Sequence, residues 1–327
     1  MSSAELPPEG LPGLDPQWSR LIETPDLDGH DRTWHILDNQ IEDPRLTLLC
    51  IHGNPTWSYL WRGVIAQAPA GVRVIAVDQL NMGYSDRTGT FRRFDQRIDD
   101  LSALTDALGL VGPIVTVAHD WGGAISLGWA ERHVDQLAGV ILTNTAVHQP
   151  AASRAPTLIR LISIRGLLHA ICQWTPTFIW GTLFLARPRL TKPVRRAYHA
   201  PYRGSRRRRA IAHFVKDIPL SDRHPTQIPL DKVAADLTLL ADIPTLLLWG
   251  PSDPVFSDLY LRDLTTRLPH ADVHRFVGAG HMVVEDADVA GAVYRWLERL
   301  DVEPALPGRP DLGREPLWAA LDRRADD

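Results

Sequence analysis

Short apolar runs rich in β-branched residues alternate along the chain with stretches of helical period. Leu46–Ile51, Val72–Val77, Ile114–Ala118, Gly139–Leu142, Thr245–Trp249 and Val273–Val277 read as short buried strands, bounded by Gly, Pro or Asp. Trp57–Gln67, Phe94–Gly109, Gly123–His133, Phe256–Leu268 and Val289–Leu300 carry amphipathic helical patterns. Continuous apolar strands need cover on both faces, and helices between successive strands supply it. The pattern therefore predicts an α/β fold with a mostly parallel, doubly wound sheet. Arg32–Asp38 alternates apolar and polar residues, which suits an antiparallel edge strand.

The alternation stops near His148 and resumes near Leu237. Residues 148–236 are accordingly read as a helical cap inserted into a core made of 1–147 and 237–300, with 301–327 as a linker and tail. The cap holds two apolar helical stretches, Thr157–Ile171 and Pro176–Ala186. Residues 166–186 contain no Asp, Glu, Lys or Arg and approach the length of a membrane span, but His169, Gln173 and Pro176 interrupt them. A cap lining an apolar cavity is the better reading. Trp174, Phe178, Trp180 and Phe184 are its candidate substrate-binding residues, with enough apolar surface to line a channel for long alkyl chains.

Charge sharpens this division. The 327 residues carry a net charge of −4, yet residues 148–225 hold 15 Lys and Arg against two acids, Asp217 and Asp222. That segment is +13 and the remainder −17. A solvated basic face is the simplest reading of the run Arg206–Arg209; docking on an acidic partner or at the periphery of an anionic membrane is the alternative. Nucleic acid is set aside, because the arginines lack interleaved aromatics. A chain that is 44% hydrophobic and 23% charged is neither disordered nor fibrous. Cys50 and Cys172 have no metal-ligand spacing and are expected as free thiols in a reducing compartment. The first residues lack a basic and then apolar leader, so a cytoplasmic location is expected.

The chemistry gathers at strand ends. Ile114–Ala118 runs into Ala118-His119-Asp120-Trp121-Gly122-Gly123 and then a helix, with small residues on both sides of Asp120. This is the pattern of a nucleophile elbow, here with Asp in the central place; a helix cap is the plainer alternative for a lone Asp. His52-Gly53-Asn54-Pro55 follows the first buried strand, where a loop would bring one backbone N–H to the elbow, the second coming from Trp121. The Asn54 amide and the Trp121 indole add neutral donors suited to an anion in an apolar pocket. Asp253, past the strand Thr245–Trp249, and His281, past Val273–Val277, complete the order nucleophile, acid, base.

Two stretches, His52-Gly53-Asn54-Pro55-Thr56-Trp57-Ser58-Tyr59-Leu60-Trp61-Arg62 and His119-Asp120-Trp121-Gly122-Gly123, resemble the haloalkane dehalogenase branch of the α/β-hydrolase fold. The resemblance spans roughly residues 25–300. It implies Asp120 as nucleophile and Asn54 and Trp121 as binders of the departing anion. Asn144 stands where one dehalogenase subgroup keeps an acid and cannot serve as one, which leaves Asp253. Phe214-Val215-Lys216-Asp217-Ile218-Pro219-Leu220 with His224-Pro225 is similar to the cap of the β-lactone decarboxylases of bacterial long-chain olefin biosynthesis. Pro316-Leu317-Trp318-Ala319-Ala320-Leu321-Asp322 resembles the opening of the β-lactone synthetase domain fused to some of them, so a fused or associated synthetase is an expected partner.

That resemblance implies attack by Asp120 on a hydrophobic cis-3,4-dialkyl β-lactone, with His281, oriented by Asp253, as general acid–base, and release of a cis-alkene and carbon dioxide. The carbon attacked stays open. No metal or organic cofactor is implied. The same residues would serve a haloalkane dehalogenase. An epoxide hydrolase would draw on Tyr198 and Tyr202 of the cap as proton donors. A non-catalytic binding module is the reading from outside enzymology, and the intact triad argues against it.

Overall fold

The computed structural model describes residues 3–26, 29–149 and 166–300. Most of the expected helix Thr157–Ile171 and the whole of the 301–327 tail lie outside the described residues. Eight strands form one sheet: β1 (Ser19–Pro25), β2 (Asp31–Asp38), β3 (Leu46–Ile51), β4 (Val72–Val77), β5 (Ile114–His119), β6 (Leu137–Thr143), β7 (Thr245–Trp249) and β8 (Asp272–Arg275). Among the described residues, α-helices of five residues or more are α1 (Arg62–Ala66), α2 (Phe94–Ala107), α3 (Trp121–Ala130), α4 (Thr177–Phe184), α5 (Lys192–His199), α6 (Arg209–Lys216), α7 (Gln227–Asp236), α8 (Asp258–Arg267) and α9 (Val289–Arg299).

The strand order is β1-β2-β4-β3-β5-β6-β7-β8. β2 is antiparallel to β1 and β4, and every pairing from β4 to β8 is parallel. The chain places β4 on one side of β3 and then β5 on the other. The carboxyl ends of β3 and β5 thus flank the crevice where connections diverge, the place where open α/β sheets bind ligands. Every residue of β3, β5 and β7 is buried, as their unbroken apolar runs require. Gly128 lets α3 approach its neighbours: a Cβ there would sit 2.3 Å from Ile98 Cδ1 of α2 and 3.2 Å from Val233 Cγ2 of α7.

β2 is antiparallel as expected but is not an edge, since it lies between β1 and β4, and the two strands at the edges also depart from expectation. β1 carries too little apolar alternation to stand out, with Leu21 exposed and Ile22 only half-buried; its register against β2 defines it. The run Val273–Val277 is not a buried strand. β8 is exposed along its length at the edge of the sheet, with a neighbour on one side only, and Val277, 98% exposed, lies past the strand in a turn.

Between β6 and β7, α4 to α6 stand over the carboxyl ends of the strands. Trp57 Nε1–H donates to the Ala197 carbonyl (3.2 Å) and the Tyr202 hydroxyl to the Thr56 carbonyl (2.6 Å). Asp217, one of the two acids of the basic segment, accepts from Phe94 N (2.8 Å), Arg93 Nη1 (3.0 Å) and Thr226 Oγ1 (2.6 Å), tying α6 to the start of α2. The last helix of the inserted segment, α7, packs on α2 and α3. Among the described residues no helix is long and apolar enough to cross a membrane. The uncharged stretch 166–186 is divided into a turn at Leu167–His169, a π-helical turn ending at Trp174, and α4.

Candidate active site

Asp120 sits between β5 and α3 with φ 54° and ψ −131°, a conformation that costs a non-glycine residue roughly 1–3 kcal/mol. Bonds from three sides hold it there. Asp120 N–H donates to the Asn144 carbonyl (3.1 Å), while its own carbonyl accepts from Gly123 N (2.9 Å) and Thr145 Oγ1 (2.5 Å). The small residues around it are a steric necessity. A Cβ on Gly122 would lie 2.3 Å from the Ile51 carbonyl oxygen, and one on Gly53 2.2 Å from Asp120 Oδ1. The loop after β3 can therefore press its backbone against the carboxylate, and Asn54 N–H donates to Asp120 Oδ1 at 2.7 Å. Trp121 N–H donates to the same carboxylate. The carboxylate is thus restrained by two backbone donors.

His281 and Asp253 lie past the ends of β8 and β7. His281 Nδ1–H donates to Asp253 Oδ2 at 3.0 Å. Asp253 accepts further bonds from Val255 N on Oδ1 (2.6 Å) and Asn144 Nδ2 on Oδ2 (3.0 Å). Asn144 is itself locked to Gly250, donating to its carbonyl (3.0 Å) and accepting from its N–H (2.7 Å). The residue that cannot be the acid thus fixes the acid. Phe256 stacks on the His281 ring at 5.9 Å. His119 bonds through Nε2 to the His281 carbonyl (2.8 Å), and burial lowers its own pKa to about 3, so it stays neutral.

The electrostatics follow from burial and partners. Burial disfavours a charged His281, but Asp253, with Asp120 and Asp286 adding to it, raises the pKa to about 9. Burial also works against ionised Asp253, and His281 with the backbone donors overcomes it, holding the carboxyl below its ordinary value. Asp120 is the opposite case: burial raises it, and His281 and the Asn54 and Trp121 N–H groups offset only part of that. At neutral pH the ring is an imidazolium.

Asp120, His281, Asn54 and Trp121 line one cavity of about 350 Å³. The rest of its wall is mainly apolar, with Phe178, Leu185, Val215, Ile218 and Phe256 among it. The Trp121 indole N–H makes no hydrogen bond among the described residues, and Asn54 Nδ2 makes only a 3.3 Å bond to the Ile211 carbonyl. Both are free to meet an anion. No group of His, Cys, Asp and Glu among the described residues could hold a metal ion. A strained, ionisable carboxylate, a fixed imidazolium and two neutral donors in an apolar chamber suit nucleophilic displacement at carbon.

Residues 47–288 match the family described as alpha/beta hydrolase fold. The chain belongs to the α/β-hydrolase fold family. This α/β-hydrolase-fold enzyme is 33% identical to a cis-3-alkyl-4-alkyloxetan-2-one decarboxylase of Shewanella oneidensis, over 73% of this chain and 77% of that one. It is 34% identical to a protein of the same name from Xanthomonas campestris, over 80% and 91% of the two chains. Its fold superposes on the crystal structure of a haloalkane dehalogenase from Agrobacterium tumefaciens with a TM-score of 0.75, at 21% identity, covering 86% of this chain and 97% of the other.

Of the four aromatics expected to line the alkyl channel, only Phe178 does so. Trp174, Trp180 and Phe184 are 63%, 39% and 60% exposed and lie outside the cavity of the enzyme. Helical period explains this. Phe178, Gly181, Thr182 and Leu185 share the inner face of α4 and its end, which places Trp180 and Phe184 on the outer one. Tyr198 and Tyr202 do not reach the cavity either. Their hydroxyls are committed to Glu285 (2.5 Å) and the Thr56 carbonyl (2.6 Å), so neither is placed as the cavity-facing proton donor an epoxide hydrolase would draw on. The wall residues Val215, Ile218 and Pro219 belong to the FVKDIPL motif and Leu185 to the end of α4; nothing in the sequence marked their side chains as cavity-facing.

Proposed function

We propose that this enzyme is a decarboxylase of cis-3-alkyl-4-alkyloxetan-2-ones, releasing a cis-alkene and carbon dioxide in long-chain olefin biosynthesis. The observation that carries the reading is Asp120, restrained at the elbow and facing an apolar chamber with two neutral anion donors. The likeness to two decarboxylases at 33% and 34% identity supports it. Free, buried Cys50 and Cys172 support a reducing, cytoplasmic setting.

In this reading the Asp120 carboxylate attacks the saturated, alkyl-bearing ring carbon bonded to the ring oxygen, not the carbonyl carbon. The C–O bond breaks, its electron pair goes to the departing oxygen, and an Asp120 ester and a free carboxylate form. Trp121 Nε1–H and Asn54 Nδ2–H receive that carboxylate. The bond between the carboxylate carbon and its neighbour then breaks. Its electron pair forms the alkene, carbon dioxide leaves, and Asp120 recovers its pair as the ester bond breaks. Backside attack sets the ester anti to the carboxylate, so anti loss keeps the alkyl groups cis. The sequence consumes no water and no net proton. His281 therefore acts as a fixed positive charge beside Asp120, stabilising the carboxylate before attack and as it is expelled.

The test is gas chromatography of a reaction with a synthetic cis-dialkyl β-lactone, run beside Asp120→Ala to subtract thermal decarboxylation. Cis-alkene well above that control is expected. Halide release from haloalkanes without excess alkene would turn the reading to dehalogenation, which the fold and the same donors also suit.

A further inference from the structure

We propose that the cap docks on an anionic lipid bilayer through Trp174, Trp180 and Phe184 and the basic side chains set among them. The three rings do not serve the cavity, and together they place large apolar surface in water. Trp180 and Phe184 are one turn apart on the outer face of α4, the helix whose inner face lines the chamber. This helix therefore has two apolar faces with different occupants.

Basic groups flank the two exposed rings of α4, and Trp174 ends the π-helical turn that precedes that helix. Arg189 lies over the Phe184 ring at 4.4 Å. Trp180 stacks on His199 at 5.1 Å, and burial, with Arg208 and Arg203, lowers the His199 pKa. Arg208 donates to the Gln173 and Trp174 carbonyls, both at 2.9 Å. Residues 166–216 hold eleven Lys and Arg and no acid. Arg187, Arg189, Lys192, Arg196, Arg203, Arg206 and Arg209 are exposed.

This chemistry selects the occupant. Trp and Phe beside Arg and Lys match the boundary between acyl chains and anionic headgroups, where rings insert and cations meet phosphate. An acidic protein would satisfy the charges but leave the rings exposed unless it also brought an apolar face. The patch lies on the surface, consistent with the absence of any membrane-crossing helix among the described residues. On the decarboxylase reading it would also bring the chamber to the phase in which a dialkyl lactone dissolves. The docking itself stands without that reading.

The test is co-sedimentation of the full chain with vesicles of phosphatidylcholine alone or with about a third phosphatidylglycerol. Retention is expected on the anionic vesicles at low salt. Each basic contact contributes about fivefold to binding, so salt approaching 1 M, where the Debye length is about 3 Å, should weaken retention by about tenfold or more. The variant Trp174→Ser/Trp180→Ser/Phe184→Ser should lose about tenfold in vesicle binding. It should keep its circular dichroism spectrum and its turnover of a short-chain, water-soluble lactone, because none of the three residues touches the cavity. No retention on anionic vesicles, equal retention on phosphatidylcholine, or unchanged binding by the folded variant would each overturn the proposal. None of these readings depends on alkene formation.

Discussion

Replacing Asp253 by Asn removes one charge from the site and little volume. His281 owes its pKa of about 9 to a contest that burial alone would lose, and Asp253 is the largest opposing influence. Without that carboxylate, burial should pull the ring down toward its ordinary 6.5, with Asp120 and Asp286 holding back part of the fall. A fall from about 9 all the way to 6.5 would correspond to roughly 3 kcal/mol, which sets the upper scale of the effect. Geometry adds to it. The new amide can accept from Val255 N as before, but its NH₂ would face Asn144 Nδ2, also a donor, and His281 Nδ1–H. The ring would turn to its other tautomer or the bond would be lost.

At pH 7.5 almost all of the wild-type His281 is charged, whereas much less of the variant's would be. The wild-type kcat/KM for alkene formation should fall at high pH with a midpoint near 9 and at low pH as Asp120 takes up a proton above the ordinary carboxylate range. In Asp253→Asn the alkaline limb should move down from about 9 toward 6.5, with partial recovery on acidification. Stability should follow the same pair. The raised His281 stabilises the fold fully below 6.5 and loses that contribution as pH rises through about 9. The depressed Asp253 contributes above 3.8 and loses its share as pH falls through its lower folded value. Thermal unfolding of the two proteins from pH 4 to 10 should therefore differ most near pH 5 to 6.5 and converge toward pH 10. A variant with the wild-type pH profile and kcat/KM within about threefold would refute the imidazolium role.

Three further outcomes are expected. Gly53→Ala places a Cβ 2.2 Å from Asp120 Oδ1, and displacing the carboxylate by even about 1 Å should lower kcat about a hundredfold with the fold intact, checked by steady-state kinetics and circular dichroism. At Gly181, on the inner face of α4, a Cβ would meet nothing within 4 Å, so Gly181→Leu should shorten the preferred alkyl chain; competition between lactones of different length should show a specificity change of about tenfold or more. Trp121→Phe removes the indole N–H but keeps an aromatic ring against Phe94 and Phe214, and should cost about a hundredfold in kcat while moving the melting temperature little.

The legible parts of the sequence were those with local physical causes. Strands β3, β5 and β7 stood out because burial on both faces requires continuous apolar runs. Asp120 stood out because the elbow excludes any Cβ at Gly122. Asn54, Trp121, Asp253 and His281 each follow a strand end, so their order along the chain carried the information. β1 and β8 were missed or misread for the converse reason, since edge strands place side chains in water and leave only weak alternation.

The tertiary structure decided what depends on direction. Composition showed a cap rich in aromatics, but only the rotation of α4 about its axis separates Phe178, inside, from Trp180 and Phe184, outside. Asn144 read as a missing acid, and only the meeting of β6 with the loop after β7 shows it holding Asp253 in place. Tyr198 and Tyr202 read as available donors until their hydroxyls were found bonded elsewhere. Residue type and periodicity fix which side chains can do chemistry and which face of an element is apolar. The facing of two elements distant in sequence is set by packing the whole chain, and it determines which of those side chains meet.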